Sequence, residues 1–303
     1  FDSSSDKERA FGDLKTLEKV FAFLKEQGFT EEELLASCLI GKSDRGYYDK
    51  FRNRLMIPIR DERGRFIAFG GRVLDDSKPK YINSPENIVY SKGRNLFGLN
   101  VAREGIHGPL KRLLIVEGYM DAISLYQRGI TNVVASLGTA LTDSQGRLLR
   151  RNTEQVILGY DADGAGQQAI IRGMDIDIRI LQISGAKDPD EYVLKFGPEK
   201  MVKAMDEAIS AIEFKIKVLR ANLDLNNVND KVKFLTEIAK ILSNVDNNIE
   251  REVYIDRISK VYEISKNAIV SEVDKLLYRS LAEVTKFEKS NIVLKDTQDS
   301  KID

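Results

Sequence analysis

The chain has 303 residues, with 47 Lys or Arg against 47 Asp or Glu, and so carries no net charge at pH 7. That length allows two or three domains around a large core. No run of eighteen apolar residues occurs, which excludes a membrane-spanning helix, and the polar start from Phe1 to Lys7 is unlike a signal peptide. A lone Cys38 excludes an internal disulfide. With a lone His107 it also excludes a zinc site, so zinc is not expected. Cys38 is expected to be a small buried residue and His107 to sit in an exposed His-Gly-Pro loop.

In chain order, residues 1 to about 40 predict helices. Leu14, Leu17, Val20, Phe21 and Leu24 recur at helical spacing, and Thr30 with Glu33 makes a capping pattern. Leu55 to Arg60 and Arg65 to Phe69 predict a hairpin turning at Asp61-Glu62-Arg63-Gly64. Gly70-Gly71 is expected to take positive φ or to admit a close ligand. From Lys42 to Arg103 there are fourteen basic residues against seven acidic ones, so this half is basic and the remainder acidic by the same amount. A basic surface of that kind suits phosphate neutralisation with counterion release, although a merely solvated face is the alternative. From Pro109 to about Ala204 strands and helices alternate, which predicts a mostly parallel sheet. From Met205 to Leu277 the pattern is helical. Val232, Leu235, Ile238, Ala239 and Leu242 are expected on one buried face, with Val253, Ile255, Ile258 and Val261 on another. Tyr278 to Asp303 is polar and is expected to fray. The expected domains are 1–104 (a basic α+β subdomain), 105–204 (a metal-binding α/β domain), 205–280 (a helical bundle) and 281–303 (a polar tail).

Three acidic clusters follow three predicted strands. Leu113 to Val116 runs into Glu117-Gly118-Tyr119-Met120-Asp121, and Val156 to Tyr160 into Asp161-Ala162-Asp163. Ile178 to Ile183 leads through a turn to Asp188-Pro189-Asp190-Glu191. Ligands of open α/β sheets bind beyond the carboxyl ends of the strands. Acids gathered there repel one another unless a cation offsets them, and carboxylates without His or Cys suit Mg²⁺ or Mn²⁺. Each cluster also has a plainer explanation. Asp188 is a good N-cap before Pro189, Asp161 and Asp163 suit a turn, and Asp121 is favoured in a first helical turn by the dipole.

The spacing of Glu117 and Asp161-x-Asp163 resembles the TOPRIM domain, shared by topoisomerases, primases and some nucleases. The wording of Val116 to Asp121, Ala135 to Thr139, Tyr160 to Asp163 and Asp188 to Asp190 resembles the bacterial DnaG-type DNA primase more closely. Arg52-Asn53-Arg54, Pro58-Ile59, Phe69 to Arg72, Pro79 to Glu86 and Lys92 to Leu99 carry the same resemblance. It is strong from about Tyr48 to Phe196, loose beyond, and poor over the first forty residues.

The resemblance implies an α/β fold, α+β overall. A TOPRIM Rossmann-like parallel sheet would be flanked by a strand-rich basic N-terminal subdomain and a C-terminal helical bundle. It implies a nucleotidyltransferase, a DNA-directed RNA polymerase of the primosome, that makes short RNA primers on single-stranded DNA during replication. Glu117, Asp161 and Asp163 would be catalytic and metal-holding, joined as metal ligands by Asp121, Asp188 and Asp190. Lys80, Tyr81, Asn83 and Lys92 would bind nucleotide. Arg52, Arg54 and Arg72 would hold nucleic acid, although Arg54 could instead serve a structural carboxylate, and Lys80-Tyr81 a plain surface strand. The expected partners are single-stranded template, ribonucleoside triphosphates, the RNA primer and the replicative helicase, with no membrane. The expected location is the cytoplasm, at the nucleoid and replisome. The family's zinc ribbon and helicase-binding domain are both expected to be absent, which suggests the catalytic core of a longer protein or a shortened relative. A TOPRIM nuclease and a non-catalytic nucleic-acid-binding module are the rival expectations. A type IA topoisomerase needs more chain than this.

Overall fold

The computed structural model describes residues 20–138, 141–160 and 176–279. The chain divides into two compact units, 1–209 and 210–303.

In the first unit, α1 (Val20–Glu26) and α2 (Glu31–Ala36) precede a small hairpin, β1 (Ile40–Ser43) and β2 (Gly46–Asp49). The capping box at α2 forms as its sequence predicts. The Glu33 N–H donates to Thr30 Oγ1 at 3.2 Å, and the Thr30 N–H donates back to Glu33 Oε2 at 2.8 Å. A three-stranded antiparallel sheet follows, with β3 (Arg54–Arg60) and β4 (Phe66–Val73) as the predicted hairpin and β5 (Tyr81–Asn83) on the far side of β4. Pro58 cannot donate to a ladder, and β3 tolerates it because β3 lies at the sheet edge. Asp61 shapes the turn by accepting from the Arg63 and Arg65 N–H groups at 3.0 and 2.9 Å.

Gly70 and Gly71 depart from one of their two expectations. Neither has positive φ. They serve close packing instead. A Cβ on Gly70 would meet the Tyr119 ring at 3.0 Å, and one on Gly71 would meet Phe51 at 2.7 Å.

Next come α3 (Leu99–Ala102), β6 (Leu113–Val116), α4 (Tyr119–Gln127), β7 (Val133–Ala135), α5 (Asp143–Asn152) and β8 (Gln155–Leu158). The unit continues through β9 (Asp177–Ile180), α6 (Pro189–Phe196) and α7 (Pro198–Asp206) to a two-residue strand, β10 (Ile209–Ser210). The sheet order is β10-β9-β8-β6-β7, and the β6–β7, β6–β8 and β8–β9 pairs are parallel. β6 lies inside the sheet between β8 and β7 and is buried on both faces, which is why Leu113 to Val116 contains no polar residue. β8 and β9 end at Leu158 and Ile180, two and three residues before the predicted ends. Leu114, Leu125, Val193 and Met201 belong to the core that joins this sheet to α4, α6 and α7.

The second unit is helical: α8 (Ala211–Ala221), α9 (Val228–Ser243), α10 (Asn248–Tyr262) and residues 266–279. Ile238, Ala239, Leu242, Ile255 and Ile258 form its core, as their spacing predicts, together with Phe234, which the expected face did not include, while Leu235 packs against it only partly buried. Val232, Val253 and Val261 do not join them and are exposed. Val232 and Val261 lie at the margin of the apolar stripe, where hydropathy alone cannot tell the buried face from its border, whereas Val253 falls on the side of its helix opposite Ile255 and Ile258. Tyr278, expected in a fraying tail, is still helical. No helix among the described residues is long and apolar enough to cross a membrane.

Candidate active site

The acids are placed by strand ends. Glu117 leaves β6 into solvent, and its carbonyl accepts from the Gly138 N–H at 3.2 Å. Gly138 follows Leu137, and both have positive φ, so the turn after β7 folds back onto the Glu117 loop. Asp121 lies one turn into α4, and its carboxylate reaches back to accept from the Gly118 N–H at 3.2 Å. Asp188 caps α6 by accepting from the Glu191 N–H at 2.7 Å, so its capping role is real. Asp190 accepts from the hydroxyl of Ser124, and Arg128 donates to the Ser124 Oγ at 2.8 Å and to its carbonyl at 2.9 Å.

Burial raises the pKa of the Asp121 carboxyl, and the negative charges of Asp188, Asp190 and Glu117 raise it further, against the lowering effect of the Gly118 N–H. Three of the other expected metal ligands are therefore within electrostatic range of Asp121. The remaining two, Asp161 and Asp163, lie outside the described residues, as does Thr139. Among the described residues no three His, Cys, Asp or Glu side chains close into a metal-holding group. The four acids contribute only hard oxygen donors in a locally over-negative setting, which fits a divalent cation.

Of the expected nucleotide-binding residues, Tyr81 and Asn83 lie on β5 of the antiparallel sheet and Lys80 immediately precedes it. Arg72 and Tyr81 are paired directly across β4 and β5, with the guanidinium 5.4 Å from the ring centroid and Lys80 Nζ at 5.8 Å. Lys80 and Tyr81 are exposed, while Asn83 is half-buried. Lys92 sits on a short 3-10 turn (Lys92–Arg94) fixed by a buried residue that the sequence did not single out. Gln145, at the start of α5, donates from Nε2 to the carbonyls of Lys92 (3.0 Å) and Asn95 (2.9 Å). The Lys92 N–H also donates to Glu86 Oε1 at 2.7 Å. Arg52 is exposed, 5.7 Å over the Tyr48 ring.

Arg54 differs from its expected role. It is only 7 % exposed. Its guanidinium donates to the carbonyls of Pro79 (2.8 Å), Lys80 (3.4 Å) and Gly71 (3.4 Å), so it braces the segment that carries Lys80. The hairpin pattern hid this, because strand periodicity does not show which basic residue turns inward.

Tyr119 joins the two halves of the site. It follows Glu117 by two residues and packs edge-on against Tyr81, with centroids 5.7 Å apart and planes at 80°. It also touches Phe97 at 5.8 Å. Burial and then the Tyr81 hydroxyl push its pKa up to about 12, against the lowering charges of Arg54 and Arg72. Tyr160, two residues beyond β8, is likewise raised by burial and by Glu117.

A parallel sheet with acids at its carboxyl edge, beside a basic antiparallel sheet, defines a TOPRIM-type protein. A Toprim-like model matches residues 114–193, a model of the DNA primase catalytic core, N-terminal domain, matches 10–103, and a model of the DnaB-helicase binding domain of primase matches 212–267. A DNA primase from Clostridium acetobutylicum is 43 % identical over 90 % of this chain and 46 % of its own length. A crystal structure of a DNA primase domain from Pseudomonas aeruginosa is 35 % identical, with a TM-score of 0.66 over 83 % of each chain. A structure of the DnaG primase catalytic domain bound to ssDNA is 36 % identical, with a TM-score of 0.67 over 80 % of each chain. This chain belongs to the DnaG-type primase catalytic-core family. It spans a little under half the length of the curated relative from Clostridium. The match at 212–267 overturns the expectation that a helicase-binding domain is absent. Amphipathic helices of a bundle carry no distinctive polar motif, so their sequence did not reveal it.

Proposed function

We propose that the chain is the polymerising core of a DNA primase, making short RNA primers by template-directed nucleotidyl transfer on single-stranded DNA. One observation carries this reading. Tyr119, which immediately follows the acid loop, rests on Tyr81, the residue that carries the Lys80 and Arg72 cations. Acids for a divalent metal and cations for a triphosphate are thus joined by one aromatic contact.

In the reaction, the primer 3′-hydroxyl gives up its proton to solvent and attacks the α-phosphorus of the incoming triphosphate; one P–O bond forms as the bond from that phosphorus to the α–β bridging oxygen breaks, and pyrophosphate departs with that oxygen. Glu117, Asp121, Asp188 and Asp190, with Asp161 and Asp163, are the groups that would hold Mg²⁺ or Mn²⁺. Such a bound cation lowers the pKa of an attacking hydroxyl and offsets charge on the leaving phosphate. Lys80 and Lys92 neutralise the triphosphate, while Arg72, stacked on Tyr81, is held in a defined orientation for a phosphate or base. Arg52 and the basic β-sheet unit track the template backbone. Residues 212–267, which match a helicase-binding model, would carry the exposed faces offered to a replicative helicase.

Incubation with labelled ribonucleoside triphosphates, a single-stranded template and Mn²⁺ tests the reading. Template-dependent RNA is the expected product. Shortened template would favour the nuclease, and retention without turnover the binding module. Glu117→Gln should lower incorporation at least about a hundredfold, as expected for loss of a principal electrostatic stabiliser.

A further inference from the structure

The face of the antiparallel sheet that carries Arg72 and Tyr81 also carries Gly70 and Asn83, which are paired directly across β4 and β5. Directly paired residues project to the same face with their Cβ positions about 5 Å apart. The Tyr119 hydroxyl oxygen lies 3.1 Å from where a Cβ on Gly70 would stand. The Asn83 side chain and the Tyr119 hydroxyl therefore share the space over Gly70. Neither Asn83 Oδ1 nor Tyr119 Oη has a hydrogen-bond partner among the described residues, and Tyr119 is only 5 % exposed. A buried hydroxyl without a partner costs roughly 1–3 kcal/mol. Phenylalanine would fill the same ring site without that cost, as Phe97 does beside it. One group is a donor and the other an acceptor, so each can satisfy the other.

We propose that Tyr119 is a positioning residue for the nucleotide site: with nucleotide bound, its hydroxyl donates to Asn83 Oδ1 and turns the carboxamide Nδ2–H groups toward the ligand. This rests on the primase reading, in which Asn83 meets the incoming nucleotide. The hydroxyl lies two residues from Glu117, so nucleotide capture and the acid loop are mechanically linked through one side chain. Tyr90 is the competing partner. It is 1 % exposed, its hydroxyl also has no partner among the described residues, and its pKa is raised by burial, then by Glu86 and by Tyr119.

A double-mutant cycle on the full chain decides the matter. Tyr119→Phe should raise KM for nucleotide roughly three- to tenfold, the range of one neutral hydrogen bond, leave kcat within about twofold, and keep or raise Tm. Asn83→Ala should raise KM by at least as much, and the double variant should be no worse than Asn83→Ala alone. Tyr90→Phe should leave KM and kcat unchanged. Several results would overturn the inference: an unchanged KM in Tyr119→Phe, a lowered Tm, multiplicative effects with Asn83→Ala, or non-additivity with Tyr90→Phe instead. Equilibrium ATP binding is measured in parallel on the same variants. Should the wild type make no RNA, the primase reading fails, yet weakened ATP binding in Tyr119→Phe still upholds the link to Asn83, and unweakened binding still sinks it.

Discussion

Single side chains decide how the site is held. Gln145 is fully buried and spends its carboxamide on two backbone carbonyls that fix the turn carrying Lys92. Gln145→Leu keeps the volume but strips both acceptors of their donor. It should cost about 1–3 kcal/mol, since buried acceptors would lose their partner. Chemical denaturation of wild type and variant measures the loss directly, and a change below a few tenths would show the turn to be held by other contacts.

Asp121 works in the opposite direction. Its carboxyl pKa is raised by burial and by three neighbouring acids, so the folded protein binds its proton more tightly than the unfolded chain does. The stabilising contribution is full below the unfolded pKa and disappears as pH rises through the folded one. In chelator-treated protein at neutral pH, Asp121→Asn should therefore raise Tm, because the amide keeps an acceptor for the Gly118 N–H without the charge. The gap should close as pH falls below about 4, near the ordinary carboxyl value. Thermal melts across that range would show it, and a variant less stable at pH 7 would contradict it.

At the scale of elements, the antiparallel sheet and the acid loops are the two working parts. The paired strands β4 and β5 present half-buried Arg72 beside exposed Tyr81, with exposed Lys80 just before β5, while Arg54 faces inward. Those positions make separable predictions about single-stranded DNA. Arg52→Ala and Arg72→Ala should each flatten the dependence of log affinity on log salt by up to about 0.7, one phosphate contact apiece. Arg54→Ala should act through stability instead, because its partners are backbone carbonyls. Titrations at several salt concentrations separate these cases, and unchanged slopes in both surface variants would remove the basic sheet from the template path.

For the whole molecule, the chain consists of two compact units, each with its own core. Phe234 is fully buried in the second, edge-on to Tyr262 with centroids 5.0 Å apart. Phe234→Ala should cost the helical unit about 3–5 kcal/mol. ATP binding by residues of the first unit should be left nearly intact. Calorimetry with parallel ATP binding checks this, and equal loss of both would mean that the units unfold as one.

Local chemistry was legible in the sequence wherever it depends on near neighbours. The Thr30 cap, the hairpin at Asp61 to Gly64, the apolar β6 and the Asp188 cap follow from spacing and side-chain type, and the structure repeats them. The motif wording around Glu117 and Lys80 to Asn83 also pointed to the family. What tertiary structure alone decided is which side chains meet across distant segments. Gly70 and Gly71 make room for rings instead of bending the chain, Arg54 turns inward onto carbonyls, Gln145 supports a turn some fifty residues earlier, and Tyr119 meets Tyr81. Val232 stayed outside its core for the same reason. Periodicity reports that a face is apolar, but burial and hydrogen bonding depend on what packs against it, and that partner is set by chain topology rather than by neighbours in sequence.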